Sequence, residues 1–259
     1  MDDATAHDPS QFYTGIVAEI YAPLRSSVPE VEPYARFIKQ SGEPAIELGC
    51  GTGDPLLDLR ARGLDVEGLD ASADMLARCR SAAAVRGLDV MLHHQTMESM
   101  TLDRRFRSIF VAGPSFNLLP DDRAATCALS RIRHHLEPGG AALVPLFIPR
   151  STPHDELGRV REHVEPSGRR FRVTTVSESR DDAARWQRAV LRYEIIAGNT
   201  AEVVEVVERE WLLRWHTQDG FRDLCAAAGL AITRVCRPDG APAEPHDHAF
   251  VFRLTPRGP

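Results

Sequence analysis

The sequence predicts an α/β protein: a doubly wound, mostly parallel sheet of seven strands, with a small antiparallel sheet inserted near its carboxyl-terminal end. Three observations carry the prediction. From Pro44 to about Phe147, short apolar runs alternate with helical patterns, the mark of a parallel sheet covered on both faces. The first run, Ala45-Ile-Glu-Leu48, breaks into glycines at alternate positions, Gly49, Gly51 and Gly53, before a helical pattern begins. After Phe147 about seventy residues abandon the alternation for long β-type runs.

Taken in order, two helical segments precede the sheet, around Gln11 to Pro23 and Val31 to Gln40. Strands are expected at Ala45 to Leu48, Asp65 to Asp70, Val90 to His94, Ser108 to Ala112 and Ala141 to Phe147. Pro145 cannot donate a ladder hydrogen bond, so a bulge or an early strand end is expected there. The helix from Asp121 to Leu136 carries an apolar stripe of Ala125, Ala128, Leu129, Ile132 and Leu136, and Pro138-Gly139-Gly140 ends it. The insertion reads as three antiparallel strands, Arg170 to Glu178, Trp186 to Ile196 and Val203 to His216, the last two joined by a Gly198-Asn199 turn. Ala189, Leu191, Tyr193 and Ile195 alternate onto one face. Thr217 can cap a helix running to Ala228, Gly229 stops it, and strands follow at Ala231 to Arg237 and His248 to Leu254. The whole, 1–259, reads as one domain, with 148–216 as an inserted lid or oligomer contact and 10–41 as an N-terminal helical cap.

Composition narrows the function. With 43% hydrophobic and 26% charged residues the chain has ample core, and its formal charge of −6 disfavours a nucleic-acid partner. Met1 to Ser10 lacks the order of a signal peptide and no run approaches a membrane span, so a cytoplasmic protein without a membrane partner is expected. Five widely spaced cysteines without a Cys-x-x-Cys pair fit free thiols, and Cys79 shares a helical face with Met75, Leu76 and Ala83. His246-x-His248 has no matched acid or third ligand, so no metal is expected.

The glycine turn selects a cofactor. A dinucleotide would bring a pyrophosphate to a turn free of acids. Here Glu47 and Asp54 bracket the turn, which suits a ligand carrying an ammonium and a sulfonium. Seventeen residues past Gly53 the second run ends in Asp70, an acceptor for a ribose diol. These segments resemble those of the class I S-adenosylmethionine-dependent methyltransferases, from about Phe12 to the end of the chain. Glu47-Leu-Gly-Cys-Gly-Thr-Gly53 resembles that family's glycine motif, and Gly68-Leu-Asp-Ala-Ser-Ala-Asp-Met-Leu76 its ribose segment. Gln95-Thr-Met-Glu98 resembles the adenine segment, with Thr96 where an Asp often stands and Met97 as stacking partner. Phe110-Val-Ala-Gly-Pro-Ser-Phe-Asn117 sits where the fourth strand delivers the reacting end. The resemblance implies a Rossmann-like methyltransferase fold, S-adenosyl-L-methionine as cofactor, and Glu47, Gly49, Cys50, Gly51, Asp70, Ala71, Met75, Thr96, Met97, Glu98 and Ala112 as its binding residues.

The acceptor is less legible. Methyl transfer from a sulfonium is an in-line displacement, which positioning can carry without a conspicuous base. Gly113-Pro114-Ser115-Phe116 differs from the Asn or Asp followed by Pro-Pro and an aromatic that resembling enzymes acting on nucleobase amines or glutamine amides typically carry. A small metabolite, as in secondary metabolism, is expected, with O, N or C left open. Tyr13 and Tyr21 are candidate substrate contacts or helix core. Asn117 can bond the acceptor or cap a turn. Arg214 and His216 end the last inserted strand, and His216 is the general-base candidate or a structural residue before a helix start. Tyr13 is a second catalytic candidate. Alternatives are a non-catalytic module binding the same cofactor and a nicotinamide oxidoreductase. Trp211 and Trp215 on an exposed inserted sheet would suit a homodimer.

Overall fold

The computed structural model describes residues 12–25, 29–198 and 202–258. Two sheets organise them. The larger has the order β10 (Leu230–Cys236), β11 (Ala249–Pro256), β5 (Leu136–Phe147), β4 (Phe106–Val111), β1 (Ala45–Leu48), β2 (Val66–Asp70), β3 (Leu92–His94), and the smaller β6 (Val160–Val164), β7 (Arg170–Asp181), β8 (Trp186–Ile196), β9 (Val203–Arg214). Ahead of the larger sheet stand α1 (Ile16–Leu24) and α2 (Val31–Ser41), followed by β1 (Ala45–Leu48), α3 (Leu56–Ala61), β2 (Val66–Asp70), α4 (Ala73–Val85) and β3 (Leu92–His94). The chain then returns to the other side of β1 through β4 (Phe106–Val111), α5 (Asp122–His135) and β5 (Leu136–Phe147). That reversal between β1 and β4 is the switch point at which an open α/β sheet binds ligands.

The elements follow from local chemistry. β1 is buried at every position and β2 at all but its last, because helices cover both faces. Ser72 caps α4 by accepting from the Met75 amide (3.1 Å), and Asp121 caps α5 by accepting from Ala124 (2.7 Å). The expected stripe of α5 is buried, and one core cluster joins α5 and α6 (Gln218–Ala227) to one face of the sheet. A second cluster, with Leu56, Leu76 and Cys79, fills the opposite face. β10 (Leu230–Cys236) and β11 (Ala249–Pro256) complete the sheet, β11 running antiparallel to both neighbours.

Two expectations about the strands change. β5 runs without interruption through Pro145, since its pairing with β4 stops at Leu143 and the missing N–H deprives no partner there. The irregularity lies earlier, where Glu137 to Gly140 bulge opposite Arg107. The inserted sheet has four strands: β6 (Val160–Val164), β7 (Arg170–Asp181), β8 (Trp186–Ile196) and β9 (Val203–Arg214). β6 escapes the sequence pattern because it is a short edge strand with four of its five residues exposed. The Gly198-Asn199 turn lies partly, and Gln11 wholly, outside the described residues.

Ala189, Leu191, Tyr193 and Ile195 are all buried, against Ile16, Val17 and Ile20 of α1. α1 is thereby the joint between the small sheet and the rest. Trp215 is buried under the Arg180 guanidinium (4.3 Å), and Trp211 is half-buried beside Phe12, so neither offers a free surface. The exposed apolar side chains of this sheet are valines, Val203, Val204 and Val206 on β9 among them.

Candidate active site

The site is built at the carboxyl ends of β1 and β2. Gly49, Gly51 and Gly53 all have positive φ (74°, 53° and 99°), which L side chains rarely adopt. A Cβ on Gly49 would also lie 2.5 Å from the Ser115 hydroxyl, so the turn and the segment after β4 can approach only with glycine there. The Gly51 amide donates to Asp70 Oδ2 and the Ser72 amide to Asp70 Oδ1, both at 2.8 Å. Burial pushes the Asp70 carboxyl up, and these amides and His94 oppose the shift. Asp70 is thus held in one orientation by two backbone donors.

Glu47 is fully buried, and neither carboxylate oxygen has a hydrogen bond of regular geometry. Burial drives its pKa well above the carboxylate range, with Cys79, Asp54 and Asp70 adding and the Leu56 amide opposing in part. An orphaned buried carboxylate at the end of a central strand asks for a cationic partner. The residues therefore fit S-adenosylmethionine: Asp70 would accept from its ribose, and Glu47, buried behind the turn and bordering neither neighbouring cavity, would answer the charge of its ammonium.

Two cavities meet at Tyr13, Gly49, Asp70, Ser115 and Leu118. The first is bordered by Ala71, Thr96, Met97 and Glu98, which brings the ribose and adenine segments together. Thr96 Oγ1 bonds Ser99 Oγ (2.8 Å), and the Gln95 side chain accepts from the Thr101 amide (2.7 Å), which shapes the loop. The second is bordered by Tyr21, Arg25, Cys50, Gly51, Met75 and Ala112.

The N-terminal segment closes over both. Ser72 Oγ donates to the Tyr13 carbonyl (2.5 Å), the Gly15 amide donates to Asp74 (2.6 Å), and Arg25 pairs with Asp54 (2.7 Å). The Arg25 pair revises the charge reading, since Asp54 is answered from α1's end whereas Glu47, the other acid bracketing the turn, has no ion pair among the described residues. Tyr13 and Tyr21 meet edge to face at 5.6 Å. Burial raises both phenols, with Tyr21 adding to the shift of Tyr13 and Arg25 opposing that of Tyr21. Tyr13 therefore stays protonated at neutral pH, which makes it a poor base.

Three expected acceptor residues stand elsewhere. Asn117 is fully buried and both amide protons are committed, to the carbonyls of Phe147 (2.9 Å) and Arg214 (2.7 Å). It ties β5 to β9 and has no donor left for an acceptor. Arg214 points along the β8 turn, with a long contact to the Ala184 carbonyl (3.4 Å). His216 is 3% exposed among Phe116 and Phe221, bordering neither cavity. Its Nδ1 lies 3.8 Å from Asp122 and 3.5 Å from Arg185. Burial, helped by Arg185 and Arg214 and opposed by Asp122, lowers its pKa to about 4, which makes it a poor base. Arg25, Ser115 and Leu118 are among the cavity-lining residues that sequence reasoning missed. Ser115 had a signal in its position after β4, whereas Arg25 meets Asp54 across 29 positions and had none.

Residues 45–140 match the family model of a methyltransferase domain. The chain is similar to a dTDP-3-amino-3,6-dideoxy-alpha-D-glucopyranose N,N-dimethyltransferase of Streptomyces fradiae, 31% identical over 152 residues, 55% of this chain and 58% of the relative. It is 28% identical to the cypemycin N-terminal methyltransferase of a Streptomyces species over 75% of each chain. The chain thus spans less than two thirds of the sugar methyltransferase. Among solved structures, the CcbJ methyltransferase of Streptomyces caelestis superposes with a TM-score of 0.77 at 18% identity, over 97% of this chain and 100% of the other. Residues 45–140 thus match a methyltransferase domain, and the superposition shows a like fold across nearly the whole chain.

Proposed function

We propose that this chain transfers a methyl group from S-adenosylmethionine to an amine of a small natural-product intermediate, with an amino sugar as the first class to test. The observation that carries the methyl-donor assignment is the orphaned Glu47 carboxylate beside an Asp70 held by two amides, under a tyrosine-lined closure. The amine rests on the relatives, whose names state an amino-sugar nitrogen in one case and a peptide N-terminus in the other.

The cofactor supplies an electrophilic methyl on a sulfonium; the protein's own contribution is alignment. Ala112 and Ser115 border the reacting end, while Tyr13 and Tyr21 exclude water and present hydroxyls to the acceptor. An amine needs only its lone pair free, so no strong base is required and its proton can leave to water. The reading also takes 148–216 as an inserted subdomain and 10–41 as a cap, supported by the packing of α1 on β7 and β8. It places the protein in the cytoplasm, in line with the absence of any helix long and apolar enough to cross a membrane among the described residues. A homodimer is the assembly to test, by light scattering.

The function is tested by incubating the protein with methyl-labelled S-adenosylmethionine and three acceptor sets: amino sugars, peptides with a free N-terminus, and phenols. Labelled amine product supports the proposal. Label in phenols alone overturns the amine assignment, and cofactor binding without transfer to any set returns the chain to a binding module.

A further inference from the structure

On the face of the larger sheet opposite α5 and α6, α2 packs over β4 and β5 and leaves a groove above β11 and β10. Its floor is Leu143, Pro145 and Val251, all half-buried, and it encloses about 740 Å³, the size of a small-molecule site. The walls carry Arg36, Arg234, Arg237 and Arg253 against two acids, Glu30 and Asp239. Arg237 is answered by Asp239 (3.3 Å), whereas Arg36, Arg234 and Arg253 have no ion pair among the described residues. The chain as a whole has a formal charge of −6, so composition does not supply this local excess of cations. Arg234 reaches the groove through a bulge. Ile232 pairs with Leu254 and Arg234 with Arg253, which leaves Thr233 as an extra residue. Strict alternation from Ile232, which packs toward α5 and α6, would turn position 234 to that same apolar side. The bulge instead sets Arg234 on the groove face, directly opposite Arg253, and like charges so opposed destabilise a sheet. The two guanidiniums part to opposite walls. Arg253 donates to the Gln40 side-chain oxygen (3.3 Å) and the Ser41 hydroxyl (3.0 Å), and Arg234 to the Gly240 carbonyl (2.8 Å). These neutral oxygens take part of each guanidinium's donors and none of its charge.

We propose that this groove binds a small organic phosphate, its phosphate oxygens between Arg36, Arg234 and Arg253 and its apolar part on the floor of Leu143, Pro145 and Val251. Three unanswered cations exceed what one carboxylate neutralises, whereas a phosphate monoester brings a charge of about −1.5 to −2 and several acceptor oxygens. The floor separates an organic phosphate from the free ion, which would leave these half-buried apolar side chains in water. An anion lying between the two walls also removes the repulsion between the opposed arginines, which accounts for a bulge that brings them face to face. The groove shares no residue with the two cavities around Gly49 and Asp70, so the site does not depend on the methyl-donor assignment.

The probe is phenyl phosphate, titrated calorimetrically into the full chain at low salt, with and without saturating S-adenosylhomocysteine. Saturable binding should appear in both and should weaken as salt screens the arginines. Inorganic phosphate should bind at least about tenfold more weakly, because it leaves the apolar floor uncovered. Arg234→Gln, at an exposed position of the edge strand β10, should lower phenyl phosphate affinity at least about tenfold and leave S-adenosylhomocysteine affinity unchanged. Arg36→Gln, exposed on α2, is a second variant whose folding is not at risk and should act in the same direction. Phenyl phosphate should also raise the wild-type Tm and raise that of Arg234→Gln far less. Arginines that merely cover the sheet would give the reverse, a Tm lowered by Arg234→Gln and indifferent to phenyl phosphate. Absence of saturable binding, or wild-type affinity in both folded variants, overturns the site. Binding lost in the presence of S-adenosylhomocysteine overturns its separation from the cofactor cavities, and equal affinity for inorganic phosphate overturns the organic ligand.

Discussion

Replacing Asp70 with alanine should abolish most cofactor affinity while leaving the fold nearly as stable as before. Each ribose hydroxyl donating to this carboxylate makes a hydrogen bond to a charged group, worth about 1.5–3 kcal/mol. Losing two costs at least about 3 kcal/mol, or roughly a hundredfold in Kd. Stability has two opposing terms. The Gly51 and Ser72 amides lose their 2.8 Å acceptors, at about 1 kcal/mol each. Against this, burial makes the ionised carboxylate costly in the cofactor-free chain, as its raised pKa shows, and alanine removes that cost. Asp70→Asn should bind as poorly, because its amide would set a donor against one of the two backbone N–H groups. The assay is calorimetric titration with S-adenosylhomocysteine beside thermal unfolding of each variant. A Kd within threefold of wild type for a folded Asp70→Ala would refute the ribose assignment and the orientation argument with it.

Further expectations follow from the buried polar groups. Glu47 has a raised folded-state pKa, so the stability it lends is full below about 4.5 and is lost as pH rises toward that folded value. A bound ammonium restores its charge, so cofactor binding should release a proton, seen as a calorimetric enthalpy that varies with buffer; Glu47→Gln should lose that variation and bind more weakly. His216 is the opposite case: its pKa falls from 6.5 to about 4, so its contribution is present above 6.5 and lost as pH falls toward 4. Relative to His216→Phe, wild type should lose about 3 kcal/mol across that window in pH-dependent unfolding, and turnover of the variant at neutral pH should stay within a few fold. Asn117→Ala leaves the Phe147 and Arg214 carbonyls without their donor and should destabilise by about 2–4 kcal/mol, roughly 5–15 °C in Tm by calorimetry. An unchanged Tm would show that the two sheets are held together elsewhere.

What could be read from the chain alone was whatever local rules impose. Alternating apolar runs and capped helices located the main sheet within a few residues, since strand burial and N-cap chemistry act over short spans. Gly49, Gly51 and Asp70 were legible for the same reason: a tight turn and a strand-end acid leave a signature within a score of residues. The edge strand β6 was not, because exposed edge positions carry no alternating pattern.

Tertiary structure decided everything that depends on which distant groups share a space. The sequence by itself pointed to a candidate cofactor site with two acids and a glycine turn. It left His216 and Asn117 open between chemistry and structure, because an imidazole and an amide look alike whether they face a cavity or a core. Only packing shows His216 enclosed by Phe116 and Phe221, and Asn117 consumed by carbonyls 30 and 97 positions away. Only packing shows Arg25 answering Asp54, which leaves Glu47 as the unpaired carboxyl of the turn. The physical reason is desolvation: a polar side chain's role is set by whether its partners are protein groups or water, and that is fixed when the chain closes on itself.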